Sequence, residues 1–340
     1  MPLGPYDALR RIAYLLERSR AGTYRVKAFR GAAEMVLGTD PSELRSRAAA
    51  GTLTDLPGIG PATEAVIRET LDGEVPAYLK SLEDSATEPL VAGGLEVRAA
   101  LRGDLHCHSD WSDGGSSIQE MVVTAMELGH DYLVLTDHSP RLKIANGLSP
   151  ERLTKQLGII DTINSAVRDF RLLKGIEVDI LDDGALDQSP KMLSQLELRV
   201  ASVHSKLAMS AAPMTRRMIA AAQNPHTNVL GHCTGRLIEG SRGTRGQSVF
   251  DAAAVFEACA AHGVAVEINA RPERCDPPDE LVALALDAGC LFSIDSDAHA
   301  PGQLELQIYG CARAERLGVP LDRIVNTWEL GRLLAWANPA

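Results

Sequence analysis

Long apolar runs are missing from this sequence. None approaches the ~20 residues that a membrane span requires, and the opening MPLGPYDALRR lacks the apolar stretch of a secretory leader. These absences point to a cytoplasmic protein with no membrane partner. Cysteine pairs are missing as well: the six cysteines stand at 107, 233, 259, 275, 290 and 311 with no C-x-x-C among them. That excludes a disulfide framework and a structural cysteine-zinc knuckle, and leaves them as reduced packing residues.

What is present is a soluble globular composition, 45% hydrophobic over 340 residues, enough for two domains or one large barrel with an appendage. The net charge of -11 argues against a chain coated in nucleic acid. A local patch runs the other way, because residues 1–47 hold nine Lys or Arg against five acids.

The first ~85 residues read as short helices, with 3.6-residue apolar spacing over 6–20 and 24–37 and no alternating strand pattern between them. Residues 52–71, TLTDLPGIGPATEAVIRETL, then present a helix, a tight turn at Pro57-Gly58-Ile59-Gly60 and a second helix. Gly58 and Gly60 let the backbone approach a ligand, and the helix that follows exposes N–H groups suited to a phosphate. With the cations Arg25, Lys27 and Arg30 on the helix preceding the hairpin, this module reads as a helix-hairpin-helix that touches a nucleic-acid backbone. The Gly, Ala and Pro mixture of residues 85–102 has no clear period. It gives an expected organisation of a helical domain at 1–88, a linker at 89–102 and a second domain at 103–340.

From Gly103 the grammar changes. Short apolar runs at 104–107, 132–136, 172–178, 199–203, 228–231, 264–268 and 291–294 alternate with helical patterns at 118–128, 150–167, 214–222, 249–261 and 279–288. Seven strands, each followed by a crossover, imply a parallel sheet covered on both faces. Such a sheet closes most naturally into an α/β barrel, with a doubly wound open sheet as the alternative.

Barrel chemistry stands at the C-terminal ends of strands, and metal-ligating residue types recur there. His106, Cys107 and His108 close the first run with Asp113 beyond; His138 follows the second; Glu177 lies in the third; His204 and His232 follow the fourth and fifth; Asp297 and His299 follow the seventh. In H-x-H on a strand the two imidazoles share a face and Cys107 takes the other. His130, His226 and His262 fall at helix ends or in loops and read as solvated or capping residues. Nine donors exceed what one or two ions use, and imidazole with carboxylate but no thiolate suits three divalent Zn, Mn or Fe ions. Ions so placed suit phosphate-ester hydrolysis by activated water without a protein nucleophile. The absence of a G-x-S-x-G elbow, a Walker loop and a dinucleotide fingerprint agrees. Lys206, Arg236, Arg271 and Arg274 are the candidates for gripping the substrate phosphate, Arg236 foremost because a guanidinium can clamp phosphate oxygens bidentately.

The strings DLHCHSDWSDG, VLTDHS, KGIEVDI, ASVHS, GHCTGR, EINARPER and SDAH resemble the PHP (polymerase and histidinol phosphatase) domain across about residues 103–335. The resemblance implies a distorted seven-stranded barrel holding three ions. One would sit on His106, His108, Glu177 and Asp297, a second on Asp113, His138 and His299, and a third on His204 and His232 with Glu177 bridging. The attacking water is then expected beside His106, Glu177 and Asp297. YRVKAFRGAAE and LPGIG are similar to the N-terminal helical domain of family X DNA polymerases, whose bacterial members carry a PHP domain at their C-terminus. The departures are informative: no room is left for a polymerase palm, so no polymerisation is expected. Val66 stands where lyase-competent relatives place a Schiff-base lysine, and Ala62 replaces another basic residue, which removes that route to 5'-deoxyribose-phosphate lyase chemistry. The expected activity is hydrolysis at DNA 3' ends, as 3'-5' exonuclease or 3'-phosphatase, with single-stranded DNA or a 3' end as partner. A small-molecule phosphatase resembling histidinol-phosphate phosphatase is the alternative.

Overall fold

The computed structural model describes residues 3–240 and 243–339; the outer bounds 1 and 340 of the expected domains lie outside them. The chain divides into two compact units at Pro89.

Among the described residues the first unit holds five α-helices: α1 (Pro5–Arg18), α2 (Thr23–Leu37), α3 (Pro41–Ala50), α4 (Pro61–Leu71) and α5 (Ala77–Ser85). Along α1, Leu9, Ile12, Ala13 and Leu16 recur at helical spacing and are buried with Phe29, Val66, Ile67 and Leu79 in one core. The spacing alone places the first hairpin helix after Thr52, but the structure places it at α3 and leaves only a single 3-10 turn at Leu53–Asp55. Asp40 starts α3, its carboxylate accepting from the Ser42 and Glu43 N–H groups at 2.8 and 3.3 Å, with Pro41 in the first turn. Arg25, Lys27 and Arg30 lie on α2, the helix directly before α3. The hairpin turn has Ile59 N–H donating to Leu56 C=O at 3.1 Å. Gly58 holds φ +80°, so Pro57 and Gly58 take the two central positions of a type II turn, the second of which requires a positive φ.

In the second unit, residues 95–100 of the expected linker form α6 (Leu95–Ala100). Val97 and the following Leu101 are buried in the barrel's outer core, and Gly94 N–H donates to Glu315 Oε2 at 2.6 Å. Fewer than two helical turns is too short a stretch to show a period, which hides α6 from periodicity.

Seven parallel strands follow in sequential order: β1 (Gly103–Cys107), β2 (Tyr132–Leu135), β3 (Arg171–Asp179), β4 (Leu198–Ser202), β5 (Val229–Leu230), β6 (Ala265–Asn269) and β7 (Leu291–Asp295). Each strand hydrogen-bonds the next, and a single parallel bridge from Cys107 to Ala298 links the two edges, with His108 N–H donating to Ala298 C=O at 2.8 Å. The expected barrel is therefore the architecture, nearly closed. Helices α7 (Ile118–Glu127), α8 (Pro150–Ala166), α9 (Pro190–Leu193), α10 (Ala211–Ala222), α11 (Ala252–His262), α12 (Asp279–Asp287), α13 (Gln307–Arg316) and α14 (Leu330–Ala337) complete the unit.

The site's position follows from strand alternation. Outward residues such as Leu133, Leu135, Ile176, Val178, Val266, Ile268, Phe292 and Ile294 pack against the helices in one large core. Inward residues near the strand starts, Tyr132, Val134, Leu173, Leu198, Val200, Val229 and Ala265, join Val325, Trp328 and Leu333 in a second, smaller core that plugs the barrel's N-terminal end. Each such buried aliphatic chain contributes roughly 1.5–3 kcal/mol. Two to four residues further along the same inward positions the side chains turn polar: Glu177, Asp179, Ser202, Glu267, Asn269, Asp295 and Asp297 are all buried. Gly231 occupies one inward position because an added Cβ would lie 2.4 Å from Ser202 Oγ. His130, expected to be solvated or to cap a helix, is only 4% exposed, and neither ring nitrogen has a hydrogen-bond partner among the described residues. It sits in the turn before β2, where Asp131 and Tyr132 already supply the polar contacts to Arg102.

Candidate metal centre

The nine donor residues meet at the C-terminal end of the barrel. Glu177, inside β3, is the centre. Its Oε1 lies 2.9 Å from His232 Nε2 and 3.1 Å from His204 Nε2. Its Oε2 lies 2.7 Å from His138 Nδ1, 3.5 Å from His106 Nε2 and 3.6 Å from His108 Nε2. One carboxylate thus faces five imidazoles, with its two oxygens directed at different sets. Asp297 Oδ1 stands 3.4 Å from His108 Nε2, and Asp113 Oδ1 stands 3.4 and 3.3 Å from the Nε2 atoms of His138 and His299.

Ligand atoms lying within 4.8 Å of one another form four groups: His108 with Asp113, His138 and His299; His106 with Glu177 and His232; His106 with His108 and Asp297; His138 with Glu177 and His204. The resemblance implies ion sites that share only Glu177. The geometry shares more, since His106, His108 and His138 each also belong to two groups.

A further layer of residues orients these rings, and the sequence reading does not single it out. Glu267 Oε1 lies 2.6 Å from His106 Nδ1, and its Oε2 accepts the His232 backbone N–H. Asp179 Oδ1 lies 2.5 Å from His204 Nδ1, and Asn269 Nδ2 donates to both Glu267 Oε2 and Asp297 Oδ2, at 3.2 and 3.1 Å. A carboxylate on one ring nitrogen fixes the tautomer and leaves the other nitrogen's lone pair for an ion. Asp137, buried beside His138, collects donors from Ser109, Ser112 and Gln156 and so ties the loop that carries Asp113 to β2. The signal for Asp179, Glu267 and Asn269 is the two-residue step: each shares a strand face with a residue already pointing inward.

Carboxylates and imidazoles set one another's charge here: after burial, which lowers them, Glu177 and its neighbouring carboxylates raise the His106, His138 and His204 rings above their usual range. Burial, then the neighbouring His299 and His138, push the His108 ring well below its usual range, so it is a neutral donor. Burial alone would protonate Glu177 and Asp297, yet both carboxyls are held well below the usual range, Glu177 by His204, His138 and His106, and Asp297 by His108, His106, Arg271 and Arg274. Among the described residues, His106 Nε2, both nitrogens of His108, His138 Nδ1, His232 Nδ1 and Glu177 Oε1 are buried without a hydrogen-bond partner. A buried polar atom left so costs roughly 1–3 kcal/mol, and the residues that carry them all belong to the donor groups above. The residues present therefore fit divalent ions, and nitrogen and oxygen donors without sulfur suit Zn, Mn or Fe.

The candidate cations separate on inspection. Arg271 Nη1 reaches the Asp297 carbonyl at 3.3 Å and Arg274 Nε lies 3.3 Å from Asp297 Oδ2, so both guanidiniums border the centre. Arg236, the foremost expectation, instead donates Nε and Nη2 to the carbonyls of Arg274 and Cys275, at 3.0 and 2.6 Å, and clamps a loop. Lys206 is exposed and pairs with Asp182. In the helical unit, Arg30 donates Nε and Nη2 to the two oxygens of buried Glu17, both at 2.8 Å, so it is a packing residue rather than a surface contact. Arg25 and Lys27 are exposed.

Comparison with known proteins follows these two units. The helix-hairpin-helix domain family matches residues 5–75 and the PHP domain family matches residues 104–271. The chain is 36% identical over 230 residues to the DNA polymerase/3'-5' exonuclease PolX of Bacillus subtilis, an alignment that covers 68% of this chain and 40% of that protein. It therefore spans about two fifths of that relative's length. It is 29% identical over 244 residues to the probable phosphatase YcdX of Escherichia coli, covering 66% of this chain and 89% of that protein. A solved histidinol phosphate phosphatase from Lactococcus lactis, in complex with zinc, L-histidinol and phosphate, aligns with a TM-score of 0.44 at 16% identity, over 64% of this chain and 92% of that one.

Proposed function

We propose, for a chain that belongs to the PHP phosphoesterases and carries a helix-hairpin-helix domain, that this phosphoester hydrolase acts on DNA, releasing 3'-terminal nucleotides or 3'-phosphates. The observation that carries the DNA reading is the helix-hairpin-helix unit itself: a type II turn at Leu56–Ile59 opening directly onto α4, with exposed Arg25 and Lys27 on α2. Such a unit has no use on a small phosphate ester. A cytoplasmic address and single-stranded or 3'-end substrates belong to the same reading.

His106, His108, Asp113, His138, Glu177, His204, His232, Asp297 and His299 would hold two or three divalent ions. When bound, such ions neutralise phosphoryl oxygens and lower the pKa of water. The chain's own residues do the rest. Glu267 and Asp179 keep the Nε2 atoms of His106 and His204 aimed inward. Arg271 and Arg274, at the edge of Asp297, are placed to receive the substrate phosphate, and Arg236 holds the loop on which they stand.

A small-molecule phosphatase is the second reading, supported by the nearly full-length match to a protein described as a probable phosphatase. The discriminating experiment compares kcat/KM of the full chain on 3'-end-labelled single-stranded DNA and on histidinol phosphate, each with Mn or Zn. The proposal expects DNA to be preferred; turnover of histidinol phosphate alone would replace it with the second reading.

A further inference from the structure

The helical unit contains a pocket of about 340 Å³ between α2, α4 and α5, far along the chain from the metal centre and lined by Arg25, Phe29, Ala62, Ala65, Val66, Glu69 and Tyr78. Ala62, Ala65, Val66 and Glu69 recur at i, i+3, i+4 and i+7, one stripe of α4. Half-buried Tyr78 forms the aromatic wall, backed by the buried ring of Phe29, with centroids 5.4 Å apart and planes 27° from parallel. At this size, the low end of ligand pockets at roughly 300–1,000 Å³, one ring system fits and an extended ligand does not.

The charges decide what kind of group enters. Glu69 Oε2 accepts the Ala77 N–H at 2.7 Å, which fixes a carboxylate in the wall. A phosphate inside would meet that carboxylate and three aliphatic side chains, with Arg25 the one cation of the lining. A neutral, flat heteroaromatic ring would meet apolar carbon, an aromatic wall and a carboxylate able to accept from ring N–H or exocyclic amino groups. Arg25 is exposed at the rim. There it suits the phosphate attached to such a ring.

We propose that this pocket takes one unstacked nucleobase of a single strand whose backbone lies over the hairpin, so that the helical unit holds DNA by a base as well as by phosphates. This deepens the DNA reading above and rests on it. The pocket would favour strand ends, gaps and frayed termini, where a base leaves its stack at least cost.

The test is equilibrium binding of the full chain to two single-stranded oligonucleotides of equal length, one bearing bases and one abasic throughout, so that the phosphates are matched. The base-bearing strand should bind roughly tenfold tighter, as expected for one base stacked on aromatic side chains. Ala65→Leu, which fills the pocket, should remove that difference and leave the salt dependence unchanged. Ala62→Leu, at an exposed position where folding is not at stake, should do the same. Equal affinity for the two strands, or a preference that survives both substitutions, overturns the pocket and leaves DNA binding standing. No binding of either strand overturns the pocket and the DNA reading together.

Discussion

Glu267 holds His106 from behind the centre, its Oε1 2.6 Å from His106 Nδ1, while its other oxygen takes the backbone N–H of His232. One carboxylate thereby orients two donors, one on β1 and one just past β5. Glu267→Gln keeps the size and one acceptor but loses the charge that fixes the His106 tautomer. The expected outcome is a metal affinity weaker by roughly 10–100-fold, measured by competition with a chelating indicator, with activity recovering at excess metal. Full affinity in this variant would show that Glu267 does not orient the ring.

His106→Ala and Asp297→Ala remove two members of one donor group. Each alone should abolish turnover, and the double variant should be no worse than either single one, because residues that act as a unit are strongly non-additive. Rates from single-turnover assays on labelled DNA supply the check, and additive losses would place the two residues in independent roles.

Arg30 and the pair Arg25 and Lys27 should separate cleanly. Replacing Arg30 by Ala strips the bidentate partner from Glu17, whose side chain is 2% exposed, and should cost about 3 kcal/mol of stability. Replacing Arg25 and Lys27 together should leave stability unchanged. It should weaken DNA binding and flatten the logarithmic salt dependence by about 1.4, two phosphate contacts to a single strand. Denaturant unfolding and binding titrations at several salt concentrations read the two effects.

His130 predicts a pH dependence. Burial, with Arg98 nearby, lowers its pKa from 6.5 to about 3. A ring that stays neutral in the fold but takes a proton when unfolded contributes stability above pH 6.5, lost progressively as the pH falls toward 3. His130→Leu should therefore flatten the fall in Tm between pH 6.5 and 3. An acid limb identical to that of the unaltered protein would contradict this.

Much of this was legible before the fold. The seven strands and the polar residues at their ends follow from runs and two-residue steps, and H-x-H with Asp113, or Asp297-x-His299, announces its chemistry by residue type. What a buried carboxylate does there is another matter. Glu177 and Glu267 both point into the barrel, from β3 and β6, and only the third dimension puts one among five imidazoles and the other behind His106. Arg236 shows the same limit for cations: a guanidinium beside His232 reads as a phosphate clamp until its carbonyl partners are seen. The first helix of the hairpin escaped because α3 has a single buried leucine, Leu44, and so no apolar stripe; its capping Asp40 and Pro41 were the better signal.

The proposed role of the donors gathered around Glu177 is phosphoester hydrolysis on DNA through bound divalent ions. Its most direct test is to strip the full chain with a chelator and titrate Mn or Zn back, following nucleotide or phosphate release from 3'-end-labelled single-stranded DNA. Activity should vanish on stripping and return in proportion to metal, saturating at two to three ions per chain. Hydrolysis that persists after stripping, or that saturates below one ion per chain, would contradict it.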